Sequence, residues 1–568
     1  MENIKQIGDK FLVLTNMKYF IIMFGLSLIL YLGDVVLNIR TCCKIDPLEG
    51  SGFLIKTRGC SIPNYLTFNV KVNRRYVNNF QSGRCSPDVT KFVHSKTWHQ
   101  TNIIYIDSKL VQNLFENQEN FSCSYSPCNK EDLENCFNEK YLLRAAARIT
   151  DLYVLVDCSY NNRIIFNDFF TFPSNKELLP RLDKKKSKNQ LNVVVWGLDG
   201  VSRQGFHRHF QRTARIMARL QATQFLGYTK IGEIAFSNII PLLTGVKDYR
   251  EINSSIFSDF KNKGYLTSFA EEENKFINLF PFEKFDFYWN TEYLNLSKND
   301  CPQNKLFEYS ERLFMYLHQK ERDFFGLFWS KKFNYLDVYL SRLLIKLEQS
   351  NVLNNTIFIL VSDHGDQNNK LRLTHLGSIE DRLPLLYVYF PLWHKQSFKE
   401  AHCNLKRNAE RLVTTFDIHK TLQTLTDPFN INYETNDFNL NKSVSLFSLI
   451  STRRTCETVE ISSHFCSCNG FKDVGVEEDV SNEIMDYVRE ISNDTTKILT
   501  NRLHLPPIGF NQNFADYTVL FSSNYSNLHY EATIRKINGS DYKNHFKLIG
   551  NISEIETPAM STVTNTLN

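Results

Sequence analysis

Four apolar runs of strand length, separated by stretches of helical periodicity, constrain this chain more than any other feature. They lie at residues 191–198 (LNVVVWGL), 324–329, 356–362 and 385–390. They are continuously apolar rather than alternating, the pattern of strands buried on both faces. Helical patterns fall between them at 206–220, 306–318, 337–349 and 398–414. Buried strands alternating with helices predict an α/β fold, a mostly parallel sheet covered by helices on both faces. In such sheets ligands sit beyond the carboxyl ends of the strands, so the polar residues there are the ones to examine.

The flanks read differently. Residues 38–188 form a β-rich, Cys-containing segment, with short apolar runs such as 152–156 broken by Asn, Ser and Cys, and a basic, polar linker at 183–188 (DKKKSK). The α/β core then occupies 189–470. A C-terminal region, 471–568, carries antiparallel strand patterns at 517–521 and 530–537. At the amino terminus, residues 19–37 are apolar except for Asp34. Nineteen residues at about 1.5 Å each match the roughly 30 Å hydrocarbon thickness of a bilayer. The reading is a signal anchor at 19–37 behind a short cytoplasmic tail at 1–18, with the bulk lumenal or extracellular; secretion after signal cleavage is the alternative.

Thirteen cysteines, several close together (Cys42 and Cys43, Cys123 and Cys128, Cys466 and Cys468), fit disulfides in an oxidising compartment. The spacing Cys123–Cys128 lacks the second pair that a zinc finger needs. Nine Asn-x-Ser/Thr sequons follow the apolar span, at Asn120, Asn253, Asn295, Asn354, Asn441, Asn493, Asn524, Asn538 and Asn551, and they permit a glycoprotein. Lys and Arg number 66 against 61 Asp and Glu, too even a balance to imply nucleic acid as a partner. The chain has no Asp-x-Asp, which argues against a membrane-anchored glycosyltransferase. The lumenal ligand is not readable from the sequence.

Two strand ends carry chemistry. One is Gly197-Leu-Asp199-Gly-Val-Ser202-Arg203; the other is Ser362-Asp363-His364-Gly365. Each puts a carboxylate where an apolar strand stops, and the second adds an imidazole. Oxygen ligands with one imidazole suit a single divalent cation such as zinc, manganese or calcium. The bland reading is that Asp199 caps a helix and Asp363-His364 is a turn.

Further blocks accompany these in order: Lys230-Ile-Gly232 through Asn238-Ile-Ile-Pro241-Leu-Leu-Thr244-Gly245, Gly377-Ser-Ile-Glu380-Asp-Arg382-Leu-Pro384, Asp417-Ile-His419-Lys-Thr421-Leu422, and Arg454-Thr-Cys456 with Cys466-Ser-Cys468. Together they resemble the alkaline phosphatase superfamily, which includes sulfatases and nucleotide pyrophosphatases. More closely they resemble a sulfatase-like ectodomain family of unknown function expanded in nematodes. The resemblance spans about residues 150–550. It implies an alkaline-phosphatase/sulfatase-like fold and places Asp199, Asp363 and His364 at first-cation positions. In the superfamily such a cation activates a side-chain nucleophile against a phosphate or sulfate ester.

The chain departs from that pattern at the nucleophile, where Ala235 stands. Ser237 is about 200° round a helix from position 235, and Ser202 is the other hydroxyl candidate. The second-cation segment also departs: ungapped, it offers Lys332, Tyr335 and Leu336, with Asp337 able to recover one ligand by a shift in register. His375 stands where related folds place an oxyanion contact. His419 falls on a helix expected to pack on the sheet. Arg203 and Arg382 suit either an anion clamp or structural ion pairs. The implied function is a cation-holding ectodomain with no assignable catalytic residue and little or no turnover. The alternative is an active metal-dependent hydrolase of phosphate or sulfate esters.

Overall fold

The computed structural model describes residues 52–65, 91–98, 101–128, 139–151, 153–173, 191–272, 276–277, 285–289, 302–331, 335–367, 370–434, 440–492, 496–505, 513–523, 528–537 and 545–555. The 1–18 tail, the 19–37 span, Cys42, Cys43, the 183–188 linker, Lys332 and the sequons at Asn295, Asn493, Asn524 and Asn538 lie outside them. Among the described residues no helix is long and apolar enough to cross a membrane.

A seven-stranded sheet forms the centre. Its strands in chain order are β1 (Asn192–Leu198), β2 (Thr223–Gln224), β3 (Leu266–Glu271), β4 (Phe287–Trp289), β5 (Phe324–Ser330), β6 (Thr356–Ser362) and β7 (Leu386–Tyr389). Across the sheet they run β2-β7-β6-β1-β5-β3-β4. The block β6-β1-β5-β3-β4 is parallel. Every residue of β1, β5 and β6 is buried. In β1, Val194, Trp196 and Leu198 face one core, and Val193 and Val195 face the other. This is the period-two alternation of a strand with both faces covered.

Helices supply the covers. On the Trp196 side lie α1 (Arg203–His209), α2 (Gln211–Arg219), α5 (Pro302–Gln319) and α6 (Leu336–Gln349). On the Val195 side lie α3 (Ala235–Thr244), α4 (Ile256–Asn262), α9 (Lys399–Asn408) and α10 (Thr415–Leu425). The predicted α/β class, with its mostly parallel sheet, is therefore the observed one.

Three local expectations are corrected. The 385–390 run is a strand but runs antiparallel to β6. The helix that joins them, α7 (His375–Arg382), packs Ile379 against Leu54, Ile55 and Ile62 of an N-terminal hairpin instead of crossing the sheet. The 206–220 helix breaks at Phe210, because the Asp337 carboxylate accepts the Arg212 and Thr213 N–H groups (3.1 and 2.8 Å) and starts α2 afresh. The 398–414 helix is α9 alone, which ends at Asn408 and is preceded by a separate short helix, α8 (Leu392–Ser397). The Asn408 amide bonds the carbonyls of Leu446 and Ser448, and Leu412–Val413 then pair as a short strand with Gly227–Tyr228.

Smaller sheets flank the core. On the N-terminal side are a four-stranded and a three-stranded sheet, both antiparallel. On the C-terminal side a five-stranded antiparallel meander, Phe471–Val474 to Phe546–Ile555, carries a helix, Asp479–Ser492, on one face. Disulfides join Cys123 to Cys158, Cys456 to Cys466, and Cys60 to Cys468. The last ties the N-terminal hairpin to the far end of the core. Cys466 and Cys468, two residues apart, thus take different partners.

Candidate metal centre

β1 and β6 are parallel neighbours in a register that sets Leu198 beside Ser362. Asp199 and Asp363, far apart in sequence, therefore leave the sheet side by side. Gly200 follows at φ +67°, a left-handed conformation that a side chain disfavours, and its N–H donates to Asp363 Oδ1 at 3.1 Å. The His364 N–H donates to the same oxygen at 2.9 Å. Gly365 closes the turn so tightly that a Cβ there would lie 2.4 Å from the Glu380 carbonyl oxygen.

The ligand atoms of Asp199, Asp363 and His364 lie within 4.8 Å of one another. His364 Nδ1 donates to the Gly365 carbonyl at 2.7 Å. That bond orients the ring and turns Nε2 toward Asp363 Oδ2 at 3.4 Å and Asp199 Oδ1 at 3.9 Å. Ligands held about 2.1 Å from a tetrahedral ion would sit roughly 3.4 Å apart. Asp363 is 2% exposed, and no described group donates a hydrogen bond to its Oδ2. A buried acceptor without a donor costs about 1–3 kcal/mol, and more when charged. The donor set and this orphaned oxygen both fit a divalent cation.

The other sequence candidates are placed elsewhere. Ser202 caps α1, accepting the Gly205 N–H at 2.8 Å and donating to Glu380 at 3.1 Å. Ala235 opens α3 and packs against the core. The Ser237 side chain packs over Gly232, where its Cβ occupies the space a Cβ on that glycine would need. Asp337 does not recover a cation ligand, since its carboxylate caps α2; Tyr335 is exposed and Leu336 is in the core. His375 is engaged at Nε2 by the Tyr65 hydroxyl (3.0 Å) and packs against the Phe471 ring. His419 packs on α3, its Nδ1 donating to the Leu242 carbonyl at 3.2 Å. Arg382 is a structural ion pair with Glu531 at 2.6 Å. Arg203 is buried beside the Arg208–Glu380 pair, and desolvation lowers its pKa to about 10. Cys456, Cys466 and Cys468 converge but are oxidised and offer no thiolate.

Two features are arrangements that the sequence does not reveal, although Asn238, Lys230 and Arg382 fall within its motif blocks. The Asn238 side chain accepts from the Ile231 and Gly232 N–H groups (2.8 and 3.2 Å) and donates to the Gly232 and Ile234 carbonyls (3.0 and 3.1 Å). It pins the loop that presents Ala235. The second is a buried ion network. Lys230 meets Asp381 at 2.7 Å and Glu233 at 3.3 Å; Arg372 meets Asp381 at 3.1 Å and Glu531 at 2.7 Å; Arg382 completes it on Glu531. Burial would raise the Asp381 and Glu531 carboxyls, but the cations overcome it and hold both below the usual carboxylate range.

A family model, "Protein of unknown function (DUF229)", matches residues 78–502. The chain belongs to this family. No curated protein matches this DUF229 chain. Solved structures that it resembles include a protein in the alkaline phosphatase superfamily from Vibrio parahaemolyticus, at 13% identity over 66% of this chain and 87% of that one, TM-score 0.31. Another is a Bacteroides thetaiotaomicron protein from work on glycosaminoglycan metabolism, at 10% identity over 61% and 88%, TM-score 0.32. A third is the lipoteichoic acid synthase LtaP from Listeria monocytogenes, at 12% identity over 38% and 71%, TM-score 0.28. The expectation of a family of unknown function, drawn from the ordered motifs, holds.

Proposed function

We propose that this DUF229 protein is a membrane-anchored, lumenal or extracellular ectodomain that holds one divalent cation through Asp199, Asp363 and His364. It binds an anionic ligand there without efficient turnover. The orphaned, buried Oδ2 of Asp363 is the observation that carries the reading. Zinc, manganese and calcium all suit two carboxylates, and the imidazole favours the first two.

A bound cation would supply Lewis acidity toward an ester oxygen. The chain supplies the rest. Gly365 orients the His364 ring, Gly200 and the His364 N–H hold Asp363, and Asn238 fixes the loop at Ala235. Ala235 has no atom with which to attack, and Ser202 and Ser237 are committed to a cap and to packing. Removing a covalent nucleophile costs on the order of 10⁶ in kcat where the other machinery is intact. The 19–37 apolar span and the disulfides support the secretory placement.

The test is hydrolysis of aryl phosphate, phosphodiester and sulfate esters by the purified ectodomain with zinc or manganese. No metal-dependent turnover is expected. Turnover that Asp363→Asn abolishes would establish the working hydrolase instead.

A further inference from the structure

Five of the nine sequons lie on described residues, and the asparagines at 120, 253, 354, 441 and 551 are all exposed. Asn441 alone of these five borders two adjoining clefts of about 500 and 520 Å³, which share Lys420, Gln423, Asn441 and Ser443. That size is within the range of ligand clefts. Amides and hydroxyls make up much of the walls, together with the charged Lys420, Asp427 and Glu434, and Tyr433, 42% exposed, stands at one side. Such a surface offers the alternating donors and acceptors, and the apolar ring face, that a saccharide presents in return.

The backbone around the sequon is held in place. Ser443 Oγ donates to the Phe416 carbonyl at 2.9 Å, the Val444 N–H donates to Asp417 at 2.8 Å, and the Lys442 ammonium lies over the Phe416 ring. A group attached at Asn441 therefore starts from a fixed point on the cleft wall.

We infer that Asn441 carries an N-linked glycan whose first sugars lie in this cleft. In the attachment, the Asn441 amide nitrogen bonds to C1 of the first N-acetylglucosamine and loses a proton. The C1–O bond to the lipid-pyrophosphate oligosaccharide donor breaks, and the lipid pyrophosphate leaves. The inference rests on the lumenal placement proposed above.

The experiment expresses the full chain in a eukaryotic secretory host and follows each glycosylated asparagine by mass spectrometry during digestion of the native protein with a peptide N-glycosidase. Asn441 is expected to be occupied and its glycan released about tenfold more slowly than in the Tyr433→Ala/Gln423→Ala double variant, whose opened cleft exposes the linkage. An unmodified chain would sink the lumenal placement, and this inference with it. Modification elsewhere with Asn441 bare, or equal release rates in the two proteins, overturns this inference and leaves the placement standing.

Discussion

The cation cradle at Asp199, Asp363 and His364 and the ion network from Lys230 to Arg382 share a wall, where the Gly365 N–H donates to the Asp381 carbonyl at 3.0 Å. The network sets Lys230, Arg372 and Arg382 against Glu233, Asp381 and Glu531, so each charge meets its opposite. The cradle sets the Asp199 and Asp363 carboxylates beside a single imidazole, His364. In the network burial is compensated within the chain; in the cradle the Asp363 Oδ2 meets no described donor. A buried charge left without compensation marks where something from outside belongs. That is a physical reason to read the cradle as a cation seat that does not depend on kinship.

The largest effect should come from breaking the balanced side. Glu531→Ala leaves Arg382 buried without a counter-ion and Arg372 with Asp381 as its close partner, and should cost about 3–5 kcal/mol in urea denaturation. Asp363→Asn, made in metal-free protein, keeps the Oδ1 acceptor and removes an uncompensated charge, so it should cost less than about 1 kcal/mol. Equal losses in the two variants would erase the distinction.

Acid should act next, and on the network. Desolvation pushes the His464 imidazole, beside Glu531 and Glu233, down to about 4 from 6.5. The unfolded chain binds that proton first, so the stabilisation is complete above pH 6.5 and is lost as pH falls toward 4. The loss is roughly 3 kcal/mol for this group. His464→Gln should flatten that part of a stability-versus-pH curve; an unchanged slope would count against the buried-imidazole account.

Metal should act on the cradle by a similar amount. Zinc or manganese at a hundred times its Kd should stabilise the wild-type chain by about 2.7 kcal/mol and leave Asp363→Asn unmoved, read as a shift in the denaturation midpoint. The smallest effect separates a ligand from a cap. Asp337→Ala should cost about 1 kcal/mol through the loss of the α2 cap and leave metal affinity unchanged.

Much of this contrast can be read from the sequence, but only half of it. Apolar strands ending in Asp199 and in Asp363-His364 announce the cradle, because parallel neighbours in register must deliver their terminal residues to one edge. Asp337 misleads for a related reason: a carboxylate next to a helix start reads the same whether it caps or coordinates. The hydroxyl of Ser202 is likewise available on paper and spent in the fold. Of the balanced network the sequence marks Arg382 as a possible ion-pair residue but does not reveal its partner. Glu531 lies in a strand of the C-terminal meander and meets Arg372 and Arg382 only once that sheet has docked. The direction of β7 was hidden too, since it turns on where α7 packs and not on the composition of the strand.

The central claim is that the cradle lacks only a cation. Calorimetric titration of metal-free wild-type protein and of Asp363→Asn with zinc tests it directly. One site of micromolar or tighter affinity in the wild type, absent from the variant, is the predicted result. No binding, or binding that survives Asp363→Asn unchanged, would contradict it.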